Sequence, residues 1–238
     1  MPIFEFNLPK GLSKALGLPT KSPRTAQMRV LKKLLKTAQY TAFGQKFKFE
    51  QILKHRHIGK NFQDVVPSYN YNKIYKEWWH LTLEGQSDIC WPGKINYFAL
   101  SSGTSEAASK YIPITNDLLR GNKIIMIKQL ISLFKYREIP ISAIGKGWLT
   151  LGGSTDLQKG AGYYAGDLSG ITAKKSPFWF QPFYKPGKKI AKERDWNKKL
   201  KEIVEKAPEW DISFVVGVPA WIQMCLEMVI ERYKLNNI

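Results

Sequence analysis

Between Tyr97 and Thr115 the chain reads YFALSSGTSEAASKYIPIT, where SSGTS and then AA separate two aromatic and β-branched runs. Such runs, bounded by turn residues, read as short strands. A small, hydroxylated, glycine-containing loop between strands is costly to order and is kept where something must approach the backbone closely. Gly103 permits a positive φ, and successive backbone N–H groups in such a turn form an anion-binding concavity. Ser101, Ser102, Thr104 and Ser105 add hydroxyls, and Lys110 supplies a positive charge at the far end. These are the ingredients of a phosphate cradle, although the sequence is not a GxxxxGK[ST] loop. Composition alone leaves that reading level with a serine-rich hairpin turn.

The surroundings of the loop suggest an α/β protein with a mixed, largely buried sheet and flanking helices. Residues 1–20 read as a proline-punctuated arm. SPRTAQMRVLKKLLKTAQ reads as an amphipathic helix with Met28, Leu31, Leu34 and Leu35 on one face and Gly44 past its end. KFEQILKHR and the stretch closed by Gly85 give further helices, so residues 1–87 form a mainly helical layer and 88–238 the α/β part. In the latter, Thr115 or Asn116 caps a helix through Tyr136, GWLTLGGST gives a strand, and YYAGDLSGITA is turn-rich with room for a short strand. A lysine-rich helix over about 193–206 precedes DISFVVGVP, the most apolar strand, and Pro219 opens the final helix.

The net charge of +18 allows a basic nucleic-acid-binding module. Its distribution favours the other reading. In RVLKKLLKTAQ and KKIAKERDWNKKLKEIVEK apolar residues recur at helical spacing and leave lysine on a solvated face. The start MPIFEFNLPK lacks the basic-then-apolar pattern of a signal peptide, and no run reaches the ~18 apolar residues of a membrane helix. With only Cys90 and Cys225, a disulfide framework is not expected, and the expected compartment is cytoplasmic, away from membranes. His55 and His57, two apart on a presumed helix, point away from each other and argue against a metal site. No GxSxG elbow suggests a hydrolase, and Trp78 and Trp79 read as packing residues.

SSGTS…SK, followed by YIPIT and a capped helix, resembles the first nucleotide-binding motif of the adenylate-forming enzymes. Within that superfamily the chain is most similar to the GH3 family of acyl-acid amido synthetases, including its bacterial branch. The matching stretches are TAQYTAFGQKFKF, FQDVVPSYNYNKI, ICWPGKINYFALSSGT, AGDLSG and VVGVPAW, in that order. The resemblance implies the N-terminal portion of an adenylation domain (1–238), and a protein that uses ATP and Mg2+ to activate a carboxylic acid as an acyl-adenylate. An amino acid would then take the acyl group as an amide. Carried onto this sequence, Ser101, Ser102 and Thr104 would contact the ATP phosphates, with Gly103 and Ser105 shaping the loop and Lys110 adding charge. Trp221, after GVP, would line the acyl pocket or pack in the core. Glu106-Ala107-Ala108 departs from the glycine or basic residue that the family places there. The later adenine and metal motifs and the mobile C-terminal domain have no counterpart, so the chain reads as the first part of a longer protein, inactive alone.

Overall fold

The computed structural model describes residues 22–101, 110–133 and 140–235. The expected N-terminal arm lies outside them. The chain forms two compact units, Met1–Lys94 and Ile95–Ile238.

In the first unit α1 (Pro23–Ala38) starts where Pro23 occupies the first turn and the Ser22 hydroxyl accepts the Thr25 N–H at 3.2 Å. Its inward stripe is Met28, Leu31, Leu35 and Ala38, of which Leu35 and Ala38 are buried. Leu34, expected on that face, is 46% exposed, because the 100° advance per residue turns it off the stripe. Gly44 does not end this helix. It is buried inside α2 (Ala42–Lys46), where a Cβ would collide with the Ala38 carbonyl. Thr41 makes the junction: its hydroxyl donates to the Ala38 carbonyl at 2.7 Å and accepts the Gly44 N–H at 3.1 Å. The expected α3 (Phe49–Lys54) is followed by an unanticipated α4 (Ile58–Val65), and Leu35, Ala38, Phe49, Ile52 and Ile58 form the core of the unit.

His55 and His57 fall between α3 and α4 rather than on one helix, and the His57 N–H donates to His55 Nδ1 at 3.1 Å. Among the described residues no group of three or more His, Cys, Asp or Glu could hold a metal ion. Asn70 caps α5 (Tyr71–Ile74), which runs through a π-helical turn (Tyr75–Trp79) into α6 (His80–Leu83). Trp78 packs edge-on to Phe43 at 5.1 Å and donates its indole N–H to the Tyr69 hydroxyl at 3.3 Å. It is a packing residue.

Cys90 and Cys225 are free thiols, and burial pushes the Cys90 pKa up to about 12. An acid raised in this way holds its proton in the fold after the unfolded chain has lost it. Stability should therefore fall as pH rises from about 9, the ordinary thiol value, towards 12. Urea titrations across that window should show a shallower decline for Cys90→Ala than for the unmodified protein.

The second unit holds two sheets among the described residues. The first has the order β2 (Tyr111–Ile114), β1 (Tyr97–Leu100), β5 (Tyr164–Gly166), β4 (Gln158–Lys159). β1 is antiparallel to β2 and parallel to β5, with Ala99 opposite Gly166. The second has the order β6 (Tyr184–Lys185), β3 (Gly147–Leu151), β7 (Ile212–Gly217), all parallel, with Leu151 opposite Gly217. The mixed α/β class is as expected, but the sheet is two sheets. Among the described residues β7 is an edge strand hydrogen-bonded only to β3, with Val215 and Val216 37% and 49% exposed.

The helices are α7 (Asn116–Leu133), α8 (Leu168–Lys174), α9 (Gly187–Ala191), α10 (Trp196–Lys206) and α11 (Pro219–Tyr233). Thr115, not Asn116, caps α7: its hydroxyl accepts the Leu118 N–H at 3.0 Å. The second half of the AGDLSGITA segment is α8 rather than turn. Leu149 and Leu151 from β3 pack with Leu200, Ile203 and Val204 of α10 and Cys225 of α11.

Candidate active site

Parallel strands all point their carboxyl ends one way, and in open α/β sheets ligands settle beyond those ends. Here β1 runs out into Ser101, β5 into Asp167, β3 into the Gly152-Gly153 turn, and β7 into Pro219 and Trp221. All four ends border one open cleft of ≈ 420 Å³, completed by Arg194, Trp196 and Lys199 from the start of α10 and the segment before it.

Glycines let these elements close up. A Cβ on Gly153 would run into the Asp167 carboxylate, and one on Gly170 into the Ser154 carbonyl. α8 therefore lies directly on the turn after β3, and the Ser169 hydroxyl accepts the Gly153 N–H at 2.9 Å. Behind the turn, the Ser154 hydroxyl donates to the Lys192 carbonyl at 2.8 Å and the Thr155 N–H donates to the Ala191 carbonyl at 2.9 Å.

α10 is fixed just as firmly. Asp195 caps it, accepting the Lys198 N–H at 2.7 Å. Glu193 accepts the N–H groups of Arg194 and Asp195 and pairs with Lys198 at 2.6 Å, contacts that hold its carboxyl below the usual range, the Lys198 hydrogen bond most of all. These contacts present Trp196 and, one turn later, Lys199 to the cleft. Trp196 stacks on Trp221 with centroids 4.4 Å apart and an interplanar angle of 35°. Its indole N–H is buried and has no acceptor among the described residues, a state that costs about 1–3 kcal/mol if left unmet.

Lys199 overturns the expectation that the lysines of this segment all sit on a solvated face. It is 3% exposed, and its ammonium donates to the Gly152 carbonyl at 3.3 Å. Desolvation pushes its pKa below the usual lysine value, partly opposed by the Asp167 and Glu193 carboxylates. The signal was present in the sequence: Lys199 is four residues before Ile203 and adjacent to Leu200, so it lies on the apolar stripe of α10. Neighbouring lysines hid it.

Of the residues expected to bind, Ser101 and Trp221 line the same cleft. Ser102, Gly103, Thr104 and Ser105 lie outside the described residues. Lys110 is exposed, its carbonyl accepting the Ser101 N–H at 3.2 Å, and it does not line the cleft. Asp167, Trp196 and Lys199 are among the cleft residues that the sequence did not single out.

The fold and the cleft define an α/β protein with an open cleft at the carboxyl ends of parallel strands, Ser101 at its border. A sequence model of the GH3 family N-terminal domain matches residues 13–202. The chain belongs to the GH3 family. Among solved structures it is similar to a GH3.15 acyl acid amido synthetase, with a TM-score of 0.67 and 18% identity, covering 98% of this chain and 41% of that one. It is also similar to an AtGH3.15 acyl acid amido synthetase in complex with 2,4-DB, with a TM-score of 0.64 and 19% identity, covering 98% and 40%. At such identities the likeness establishes the fold. The chain spans about two-fifths of the length of these solved relatives, 41% and 40%. No curated protein matches it.

Proposed function

We propose that the protein carrying this chain is an ATP-dependent acid–amino acid ligase, and that residues 1–238 supply part of its adenylation domain. Family membership supports this reading. The observation that carries it is the convergence of Ser101, where the serine-rich loop begins, and the Trp196–Trp221 pair on one cleft. ATP phosphates would meet the loop at Ser101, Ser102 and Thr104, with Gly103 and Ser105 giving the backbone room. The acid's apolar body would rest on the tryptophans. The complex of a similar acyl acid amido synthetase with 2,4-DB fits a small organic acid.

In the first half-reaction a carboxylate oxygen of the acid bonds to the α-phosphorus of ATP and pyrophosphate leaves. In the second, the amine nitrogen bonds to the acyl carbon, the C–O bond to AMP breaks with its electrons staying on AMP, and the nitrogen's protons pass to solvent. Holding both reactants in one cleft converts a bimolecular encounter into an intramolecular one. Mg2+ would arrive on the ATP phosphates and neutralise charge there. The described residues form no cluster of metal ligands, so none is assigned to it.

The protein is expected to release AMP only when an organic acid and ATP are both present, and to yield an amide, seen by mass spectrometry, when an amino acid is added. AMP release that ignores the acid contradicts the reading. The isolated 238-residue chain should release little or none, because it spans only 41% of a solved relative.

A further inference from the structure

The charges around the cleft do not all cancel among themselves. Arg194 pairs with Asp156 at 2.9 Å, and Glu193 is occupied by Lys198 and two backbone N–H groups. That leaves two groups of opposite sign. Lys199 is buried, forms no ion pair with a described residue, and uses one of its three donors on the Gly152 carbonyl. The Asp167 carboxylate, which closes over Gly153, makes no side-chain capping bond to α8 and no ion pair with a described residue. It is near enough to act electrostatically on Lys199.

A buried ammonium with unused donors calls for an anion. A simple organic acid would answer Lys199 but would place a second carboxylate beside Asp167, and a phosphate would be repelled more strongly still. A ligand carrying a carboxylate and an ammonium a few bonds apart satisfies both groups at once. We propose that Lys199 and Asp167 bind the amino acid acceptor as a zwitterion, Lys199 taking its α-carboxylate and Asp167 its ammonium. The assignment rests on the ligase reading above, and adds to it which side of the cleft receives the amine. Trp196, one turn before Lys199, offers its unpartnered indole N–H as a second donor to the same carboxylate. The acid and the amino acid then share one cleft, as bond formation between them requires.

The test compares Lys199→Met and Asp167→Asn with the unmodified full-length protein in two assays. Amide formation is measured against amino acid concentration, and acid-dependent pyrophosphate exchange is measured without amino acid. Each variant should raise the amino acid KM about tenfold or more, tenfold being ~1.4 kcal/mol, while the acid KM in the exchange assay stays within about twofold, or ~0.4 kcal/mol. Lys199→Met should also lose the preference for an amino acid over its decarboxylated amine, and Lys199→Arg should restore part of it. Unchanged amino acid KM values in both variants overturn the proposal. So does a raised acid KM for Lys199→Met, which would give the lysine to the acid. If Lys199→Met does not fold, Asp167→Asn at its exposed position decides alone. Absence of exchange in the unmodified protein removes the ligase reading and this proposal together, whereas exchange with unaltered amino acid dependence removes only the latter.

Discussion

Gly170→Ala should destabilise the second unit by about 3 kcal/mol, the upper end of the usual overpacking cost. The added methyl would strike the carbonyl of Ser154, and backbone cannot give way as the tip of a flexible side chain can. α8 would have to lift from the turn after β3. That movement would break the Gly153–Ser169 hydrogen bond of 2.9 Å and carry Asp167, at the head of the helix, away from the cleft. A contrasting glycine provides the control. Gly121 lies within α7 with nothing within 4 Å of a built Cβ, so Gly121→Ala should stabilise by up to about 1 kcal/mol through helix propensity alone. Urea midpoints that move in opposite directions for the two variants are the expected outcome. A Gly170→Ala protein with an unchanged midpoint would mean that α8 and the turn are not packed as described.

Ser102→Ala and Thr104→Ala should each slow ATP use by about 10- to 150-fold. That range corresponds to the loss of one hydrogen bond to a charged group, ~1.5–3 kcal/mol. The expectation comes from the family motif and from Ser101, which fixes the start of the loop at the cleft and is held to Lys110 across its base. Hydroxyls directed at phosphate contribute little to folding, so the urea midpoints should stay in place. Variants that lose stability but retain activity would favour the alternative left open by composition, a serine-rich turn with no ligand.

What could be read in the sequence was local. β1, β2 and the cap of α7 follow one another within about twenty residues, with β-branched runs, a glycine loop and a threonine at the helix start, and each local preference agrees with the fold. Ser101 and Trp221 were legible for the same reason, since Ser101 directly follows β1 and Trp221 lies in the first turn of the helix after β7. The division into two sheets was not legible. β5 joins β1 across more than sixty residues, and β7 joins β3 across a similar span, pairings that strand composition does not encode. The edge position of β7 is likewise a matter of strand order. Lys199 was hidden by averaging, because a helix rich in lysine looks solvated until each position is placed on the stripe defined by Leu200, Ile203 and Val204. Asp167 stood in the sequence only within the AGDLSG stretch, and its placement depends on Gly153, a close neighbour in space fourteen residues earlier.

We propose that this cleft activates a carboxylic acid on ATP. Acid-dependent exchange of labelled pyrophosphate into ATP by the full-length protein tests it most directly, because exchange requires a reversible adenylate and no amine. Exchange that appears with one or more members of a panel of aromatic and aliphatic acids, and falls about 10-fold or more in Ser102→Ala, is the result expected. No exchange with any acid, from protein shown to be folded, would contradict the account.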